Sequence, residues 1–329
     1  MNRSLALLGS TRVTLAGFVL LGAAVVAVES WPGAPDSVAV VPLVLLATNL
    51  ACALATRRRL RTGGLGVFHV ALLALMVVAA GGRLTRFEGR VEVAEGGELE
   101  ASAVDASFRG PLHRFRLADA AFAQGPLRVE YRAGLRRAHT TTVVRVRDDD
   151  GRTRTVAVGD DVALVVNGYR LYTTHNKGFA PVVTWTPRGG AAQSGALHLP
   201  SYPRFDGAQE LLWQPPGGSE LRVFLRLDQP LDEARDWVLE PGATSAALVV
   251  HDGGRRAELR PGESLALAEG TLRYERLAGW MGYRIYYDPT LPALFAIALV
   301  AIAGLAWHLW RVPLAPRLAR GAALANEEA

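Results

Sequence analysis

Cysteine is almost absent from this sequence. Among its 329 residues there is one, Cys52, and it lies inside a long run of apolar residues. The rest of the chain therefore has no disulfide, no CxxC redox motif and no cysteine-based metal site of its own. This excludes a protein that carries out thiol-disulfide exchange with its own cysteine pair.

The patterns that usually mark a catalytic site are missing as well. The sequence has no nucleophile elbow, no phosphate-cradling loop and no paired-carboxylate signature. Its acidic clusters, residues 148–150 and 160–161, fall at predicted turns, where solvated aspartate is expected. Five histidines are scattered singly, without HxH or HExxH spacing, and predict no zinc site: His113, His139, His175, His198 and His251. Catalysis by this chain alone has no support.

What the chain has in abundance is apolar sequence. Its residues are 50% hydrophobic with a mean hydropathy of +0.16, and the apolar residues concentrate in four runs. The runs predict membrane-spanning helices at about 13–29, 38–55, 65–81 and 290–310. The first run also has the basic start and apolar middle of a cleaved signal peptide. Because two further spans follow closely, we favour a retained helix.

Arginines beside the apolar runs predict how the helices are oriented. Four arginines lie in the short loop between the second and third spans, at positions 57, 58, 59 and 61. By the positive-inside rule this loop is cytoplasmic in a plasma-membrane protein. The N-terminus and the tail, residues 311–329, are then cytoplasmic too, and residues 82–289 are outside. These flanking arginines explain much of the net charge of +5, so we expect no nucleic-acid partner.

Residues 82–289 predict a large extracytoplasmic domain rich in β-strands. Short alternating or β-branched runs are broken by Gly, Asp and Pro throughout this region. Two of the breaks, Asp149-Asp150-Gly151 and Asp252-Gly253-Gly254, have the composition of hairpin turns. The pattern favours antiparallel strands in an all-β sandwich or open barrel. The predicted fold class is therefore a membrane protein with three N-terminal helices, one all-β domain and one C-terminal helix.

Two histidines lie within the predicted spans. His69 is about one turn into the third span, where an imidazole is costly unless it has a partner. It either packs there, bonded to a backbone carbonyl or to a hydroxyl such as that of Thr48, or serves as an axial ligand of haem iron. His308 lies at comparable depth in the last span, so the two could meet across helices. It is the weaker candidate, because a histidine beside tryptophans, here Trp307 and Trp310, is usually an interfacial side chain.

The third span and the sequence after it carry a distinctive order of motifs. The span begins with Leu65, Gly66 and His69 and ends in a glycine pair, after which residues 86–100 read RFEGRVEVAEGGELE. Residues 166–185, VNGYRLYTTHNKGFAPVVTW, read as a long strand of the outer domain with a tyrosine and a loop. These features, with the three-plus-one topology, resemble the ResB family, the CcsB-type component of system II cytochrome c maturation. The resemblance covers nearly the whole chain.

The resemblance implies a role, a cofactor and partners. Proteins of this family act with a CcsA-type (ResC) membrane protein to carry haem b across the membrane and present it for covalent attachment to CxxCH apocytochromes c. A histidine of the third span is taken to be one axial ligand of the transient haem, the partner supplies the other, and His69 occupies that position. A separate thioredoxin-like protein would reduce the apocytochrome thiols. The chain is then at most a subunit of a haem lyase complex.

Two other functions stay open at this point. The chain could be a membrane-anchored structural or adaptor protein whose β-domain binds another envelope protein, with His69 only packing. It could also be a transporter subunit. The spans hold few polar residues besides Thr48, Asn49 and His69, and this paucity argues against a solute pathway through the chain alone.

Overall fold

The computed structural model describes residues 3–31, 35–114, 120–147, 151–204 and 209–311. The chain divides into two compact units. The helical unit comprises Met1–Phe87, Phe108–Arg114 and Asp288–Ala329, and the β unit comprises Glu88–Ser107 and Phe115–Tyr287. Beyond residue 311, the predicted cytoplasmic tail lies outside the described residues.

Four long apolar helices dominate the helical unit. The described residues form α1 (Arg3–Leu8), α2 (Thr11–Ser30), α3 (Val40–Thr56), α4 (Gly63–Thr85) and α5 (Leu291–Arg311). All except the short α1 are long and apolar enough to cross a membrane, which confirms the four predicted spanning helices and indicates a membrane protein. A single 3-10 turn at Arg58–Arg61 links α3 to α4, so the arginines at positions 58, 59 and 61 lie between two membrane helices.

The helix α4 is longer than the sequence predicts. The predicted span ends at residue 81, inside the glycine pair, whereas the helix continues to Thr85. Gly82 does not end the helix. It allows Thr290 to pack closely against α4, since a Cβ atom at Gly82 would lie 2.6 Å from the Oγ1 atom of Thr290. The missing side chain thus lets the end of α4 contact the residue immediately before α5.

A buried asparagine ties α3 to the start of the chain. Asn49 is 4% exposed. Its Nδ2 donates to the backbone carbonyls of Leu8 (2.5 Å) and Ser10 (3.0 Å), and its Oδ1 accepts from the hydroxyl of Thr14 at 2.8 Å. Interhelical hydrogen bonds of this kind hold membrane helices together. Both polar groups of the Asn49 side chain are therefore engaged in hydrogen bonds that pack the helices. Helix packing thus explains why this polar residue, one of few in the spans, is present.

The β unit is built from antiparallel strands, as predicted. Fifteen strands are described: β1 (Phe87–Ala94), β2 (Asp105–Arg109), β3 (Phe122–Arg132), β4 (Arg136–Arg147), β5 (Thr153–Gly159), β6 (Leu164–Val166), β7 (Tyr169–Pro187), β8 (Gln193–Ala196), β9 (Glu210–Trp213), β10 (Leu221–Leu227), β11 (Trp237–Leu239), β12 (Ala246–Asp252), β13 (Arg255–Leu259), β14 (Ser264–Ala266) and β15 (Gly270–Tyr287). The strands form three sheets. None of them closes into a barrel in the described part of the chain, which is consistent with the predicted sandwich or open form.

The longest strand pair organises the largest sheet. That sheet has seven strands in the order β2-β1-β15-β7-β6, with β14 added on β15 and β8 on β7. The other two sheets have the orders β13-β12-β10-β9 and β11-β3-β4-β5. β7 and β15 pair from Gly270 opposite Pro187 to Tyr286 opposite Arg170, and many of their side chains are fully buried, including Trp185, Tyr274 and Tyr283. The pair is therefore a main part of the core.

One of the two predicted hairpin turns can be checked. β12 and β13 are paired from Asp252 opposite Arg255, so Gly253 and Gly254 form a two-residue turn, as predicted. Gly253 has a φ angle of +57°, which glycine adopts without strain. The predicted turn at Asp149-Asp150-Gly151 lies partly outside the described residues.

A buried hydrogen-bond chain links β15 to β3 and β4. The hydroxyl of Tyr283 donates to Oε1 of Gln124 at 2.6 Å, and Nε2 of Gln124 donates to Oγ1 of Thr142 at 2.6 Å. The Thr142 hydroxyl in turn donates to the carbonyl of Pro126 at 3.0 Å. Burial raises the pKa of Tyr283, so the phenol stays protonated and keeps donating. The network satisfies polar groups that would otherwise be unpaired in the core.

We expect Tyr283→Phe to lower the free energy of unfolding of the β unit by about 1–3 kcal/mol, because the buried Oε1 of Gln124 loses its donor. The measurement is chemical denaturation of the detergent-solubilised full chain, followed by near-UV circular dichroism. Tyr286→Phe is the matched control, since the Tyr286 ring packs on Tyr172 and on Arg284 while its hydroxyl makes no hydrogen bond with the described residues. Equal stability of the two variants would contradict a network role for Tyr283.

Candidate functional site

His69 lies near the start of α4, in a defined hydrogen bond. It is six residues beyond the first residue of the helix, Gly63, which places it about 9 Å along the axis. Its Nδ1 lies 2.7 Å from the backbone carbonyl oxygen of Leu65, four residues earlier. The half-buried ring also makes an edge contact with Phe68, with the two ring centroids 5.4 Å apart.

This hydrogen bond determines the tautomer of His69. A carbonyl oxygen only accepts, so the Nδ1 atom of a neutral imidazole must carry the proton. The Nε2 atom then has an unshared electron pair, and it makes no hydrogen bond with any described residue. Histidines that bind metals commonly donate their second ring N–H to a backbone carbonyl in this way. The site therefore has the donor chemistry of an axial ligand.

The packing alternative for His69 predicted a bond to a backbone carbonyl or to a hydroxyl such as that of Thr48, and the structure shows the first of these. Both atoms belong to α4, and neither Thr48 nor any other described residue of a neighbouring helix bonds to the ring. His69 thus contributes no interhelical hydrogen bond, in contrast to Asn49. Its bond to Leu65 satisfies one ring nitrogen, and no described residue bonds to the other.

His308 lies at the same end of the helical unit, three residues before the last residue of α5. A Cβ atom on Gly64 would lie 2.5 Å from the backbone nitrogen of His308, so the start of α4 and the end of α5 are in direct contact. His69 is five residues farther along, which turns it about 140° around the helix from Gly64. His69 therefore lies on a different face of α4 from the one that contacts His308, and the His308 ring makes no hydrogen bond, ion pair or ring contact with the described residues.

Glycines allow α4 and α5 to approach closely near His69. A Cβ atom at Gly64 would collide with the carbonyl oxygen of Gly304, and one at Gly304 would lie 2.9 Å from the nitrogen of Phe68. This backbone contact fixes the position of α4 along α5. It also leaves an apolar groove of about 540 Å³, whose lining includes Val67, Val70 and Ile297 but not His69.

Three histidines of the β-rich region and its junction with the helices make structural contacts, and His251 packs its ring against Phe224. His113 bonds through Nδ1 to the carbonyl of Thr85 at 2.9 Å and stacks on Phe87. His198 stacks on Trp280. Among the described residues no group of three or more His, Cys, Asp or Glu side chains could hold a metal ion. His69 and His113 thus share a hydrogen bond from Nδ1 to a backbone carbonyl, and of these two His69 is the one within a spanning helix.

Comparison with known protein families identifies the class of protein. A family model described as the ResB-like family matches residues 45–311, a range that includes α4, the β unit and α5. The chain therefore belongs to the ResB-like family, which is associated with cytochrome c biogenesis. Both His69 and His308 lie inside the matched range. No curated protein matches the chain.

The sequence predicts a backbone carbonyl as one possible partner of His69 but does not identify it as that of Leu65. Leu65 belongs to the motif that carries the family resemblance, yet the motif alone assigns it no role. The sequence feature that indicates this partner is the spacing of four residues. In a helix, residues i and i−4 lie on the same face, so a polar side chain at i can bond to the backbone carbonyl at i−4. His69 and Leu65 have this spacing.

We expect Gly64→Leu to separate α4 from α5 and to destabilise the helical unit by about 1–3 kcal/mol, the usual range for overpacking. Gly22→Leu on α2 is the matched control, because no atom lies within 4 Å of its Cβ position. The measurement is the melting temperature of the purified protein in detergent. If both variants melt at the temperature of the wild type, the close contact of α4 with α5 is wrong.

Proposed function

We propose that this protein is a component of system II cytochrome c maturation that holds haem within the membrane, with His69 as one axial ligand. The observation that carries the proposal is the hydrogen bond between Nδ1 of His69 and the Leu65 carbonyl. In a neutral imidazole this bond leaves the Nε2 electron pair unused by any described residue. Membership of the ResB-like family supports the same role.

The second axial ligand would come from another protein. His308 is the only other histidine in the spanning helices, and its backbone contacts Gly64, on a different face of α4 from His69. A CcsA-type (ResC) membrane protein is the partner that the family resemblance implies. A shared haem of this kind would bind transiently, because neither protein would hold both axial positions.

The orientation of the helices places His69 toward the cytoplasm in this proposal. The arginine-rich turn at Arg58–Arg61 is expected to be cytoplasmic, since positive residues flank the inner ends of membrane helices. The β unit then lies outside the cytoplasm, and both chain ends lie inside. His69, near the start of α4, would be among the first groups met by a haem that enters from the inner side.

Haem would be cargo in this scheme, and its vinyl groups would form the thioether bonds with the CxxCH cysteines of apocytochrome c. The residues of this chain would bind and orient it. The single cysteine, Cys52, is buried in α3 at 8% exposure, so reduction of the apocytochrome thiols would fall to a separate thioredoxin-like protein.

An adaptor function without haem is the second candidate. It is favoured by the size of the β unit and by its open sheets, because β5, β9 and β13 are the last strands of their sheets in the described part of the chain. Such edges can accept a strand from another protein. In this case His69 would have no role outside α4.

We expect His69→Gly to abolish the haem Soret absorbance of this chain when it is co-purified with a CcsA-type partner, and to reduce the level of mature cytochrome c to background. Added imidazole should restore part of both, because it fills the space left by the side chain and supplies a nitrogen ligand. His308→Gly is the matched control, since it makes the same change in a spanning helix, and it should retain haem.

The haem proposal fails if the wild-type complex carries no Soret absorbance and His69→Gly leaves cytochrome c levels unchanged. That result would favour the adaptor function. A loss of haem in both glycine variants, without rescue by imidazole, would mean that the helices themselves were disturbed and that His69 is not specifically a ligand.

A further inference from the structure

Lysine is almost absent from the chain, and the one lysine present is buried. Lys177 is the only lysine among the 329 residues. It lies on β7 with 1% of its surface exposed and is among the largest fully buried side chains in the described part of the protein. Lysine is rarely buried to this degree, because its ammonium group is strongly hydrated. A single lysine in this position therefore needs a physical explanation.

The ammonium group of Lys177 has few partners. Its Nζ donates to the carbonyl of Thr174 at 3.5 Å, and no other hydrogen bond or ion pair is made with a described residue. An ammonium group can donate three hydrogen bonds. The nearby carboxylate of Asp160 is already engaged, by Arg137 at 3.1 Å and by the backbone N–H of Thr140 at 2.8 Å. Among the described residues, Lys177 therefore makes no ion pair of its own.

Lys177 lines a cavity of about 450 Å³ within the β unit. Two arginines, Arg137 and Arg204, line the same cavity, and none of the described aspartates or glutamates does. Tyrosine, leucine and proline side chains supply apolar wall area at Tyr131, Leu135, Tyr202 and Pro203. The cavity volume lies within the range typical of small-molecule sites, about 300–1,000 Å³. Its charge is thus positive on one part of the wall, and the rest of the wall is largely apolar.

A bulge in β7 produces this arrangement. Met281 pairs with Lys177 and Tyr283 with Thr173, so residues 174–176 stand opposite Gly282 alone. A Cβ atom at Gly282 would lie 2.6 Å from Oγ1 of Thr174, which explains the glycine. Bulges of this kind redirect side chains and occur near functional sites. Here His175 and Asn176 are exposed at the rim while Lys177 is directed inward.

We propose that this cavity is a binding site for an oxyanion, a carboxylate or phosphate group, carried on a small molecule with an apolar body. The ammonium of Lys177 would donate its unused hydrogen bonds to the anion, and Arg137 and Arg204 would add positive charge. The aromatic and aliphatic wall would contact the apolar part. This site lies in the β unit and does not depend on the haem proposal for His69.

The electrostatics around Lys177 agree with a site that binds an anion. Burial, followed by the charge of Arg137, lowers the pKa of Lys177 from its ordinary value of 10.5 to about 8. The same arginine is the main cause of the lowered pKa of His175. A bound oxyanion would stabilise the protonated amine and raise the pKa of Lys177 again.

The single lysine permits a direct test. The full chain, labelled with [ε-13C]lysine and held in detergent micelles, should give one lysine signal by NMR. Benzoate, phenyl phosphate and inorganic phosphate are the oxyanion probes, and benzamide is the neutral control. We expect at least one of the two aromatic anions to shift the signal saturably and to raise the pKa read from it, with a weaker effect of inorganic phosphate and none of benzamide. A signal that no anion moves, or that benzamide moves equally, overturns the proposal.

Thermal unfolding provides the second measurement. Lys177→Met should melt at a higher temperature than the wild type at neutral pH, because it removes an uncompensated buried charge, and its melting temperature should not respond to phenyl phosphate. The matched control is Arg188→Gln, an exposed arginine near the end of β7 that should respond like the wild type. A Lys177→Met variant that is less stable than the wild type and still responds to phenyl phosphate contradicts the proposal.

The pH dependence has a defined sign. Because the folded-state pKa of Lys177 is below the unfolded value, the unfolded state binds more protons between about pH 8 and 10.5. The cost of burying the ammonium is therefore fully present below pH 8 and is lost as the pH rises through this window. The difference in the free energy of unfolding between Lys177→Met and the wild type should therefore become smaller as the pH rises from about 8 to 10.5. The other charged or titratable groups at the cavity are unchanged in the variant: Tyr131, Arg137, Asp160, His175 and Arg204.

Discussion

The hydrogen bond from Nδ1 of His69 to the carbonyl of Leu65 is the interaction on which the functional account depends. It is local to one helix, so it fixes the imidazole without using a neighbouring helix. It also selects the tautomer in which Nε2 can bind a metal. Without this bond, His69 would be a polar side chain in a spanning helix with no defined proton position. With it, the proposal that His69 supplies one half of an axial ligand pair has a defined ligand atom, Nε2.

Three buried or half-buried polar side chains differ in how far their hydrogen-bonding capacity is satisfied. Asn49 uses both its carbonyl and its amide in bonds to α1, α2 and the link between them, as expected of a group that stabilises packing. His69 uses one ring nitrogen of two. Lys177 makes one long hydrogen bond of a possible three. Because unsatisfied buried groups cost stability, His69 and Lys177 are the positions where function best explains the sequence.

The membrane helices and the β-rich domain could be predicted because both depend on local patterns. Apolar runs of sufficient length identify α2 to α5, and alternation with turn residues identifies the strands. What could not be predicted depends on contacts between distant residues. The role of Gly82 depends on Thr290, which packs against it although it lies far away in the sequence. The strand order within the sheets likewise depends on pairings of distant segments, such as that of β7 with β15. Lysine normally indicates exposure, so the pattern around Lys177 gave no sign of a buried cavity.

The central claim is that Nε2 of His69 coordinates haem iron in the complex with a partner. Electron-nuclear double resonance tests it most directly, on the ferric complex of an unlabelled CcsA-type partner with this chain. The chain would be labelled with 15N-histidine and carry His308→Gln, so that His69 is the one labelled imidazole in the spanning helices. The account predicts a 15N hyperfine coupling of the size produced by a directly bound nitrogen. A spectrum with only 14N couplings from the porphyrin and the partner would contradict it.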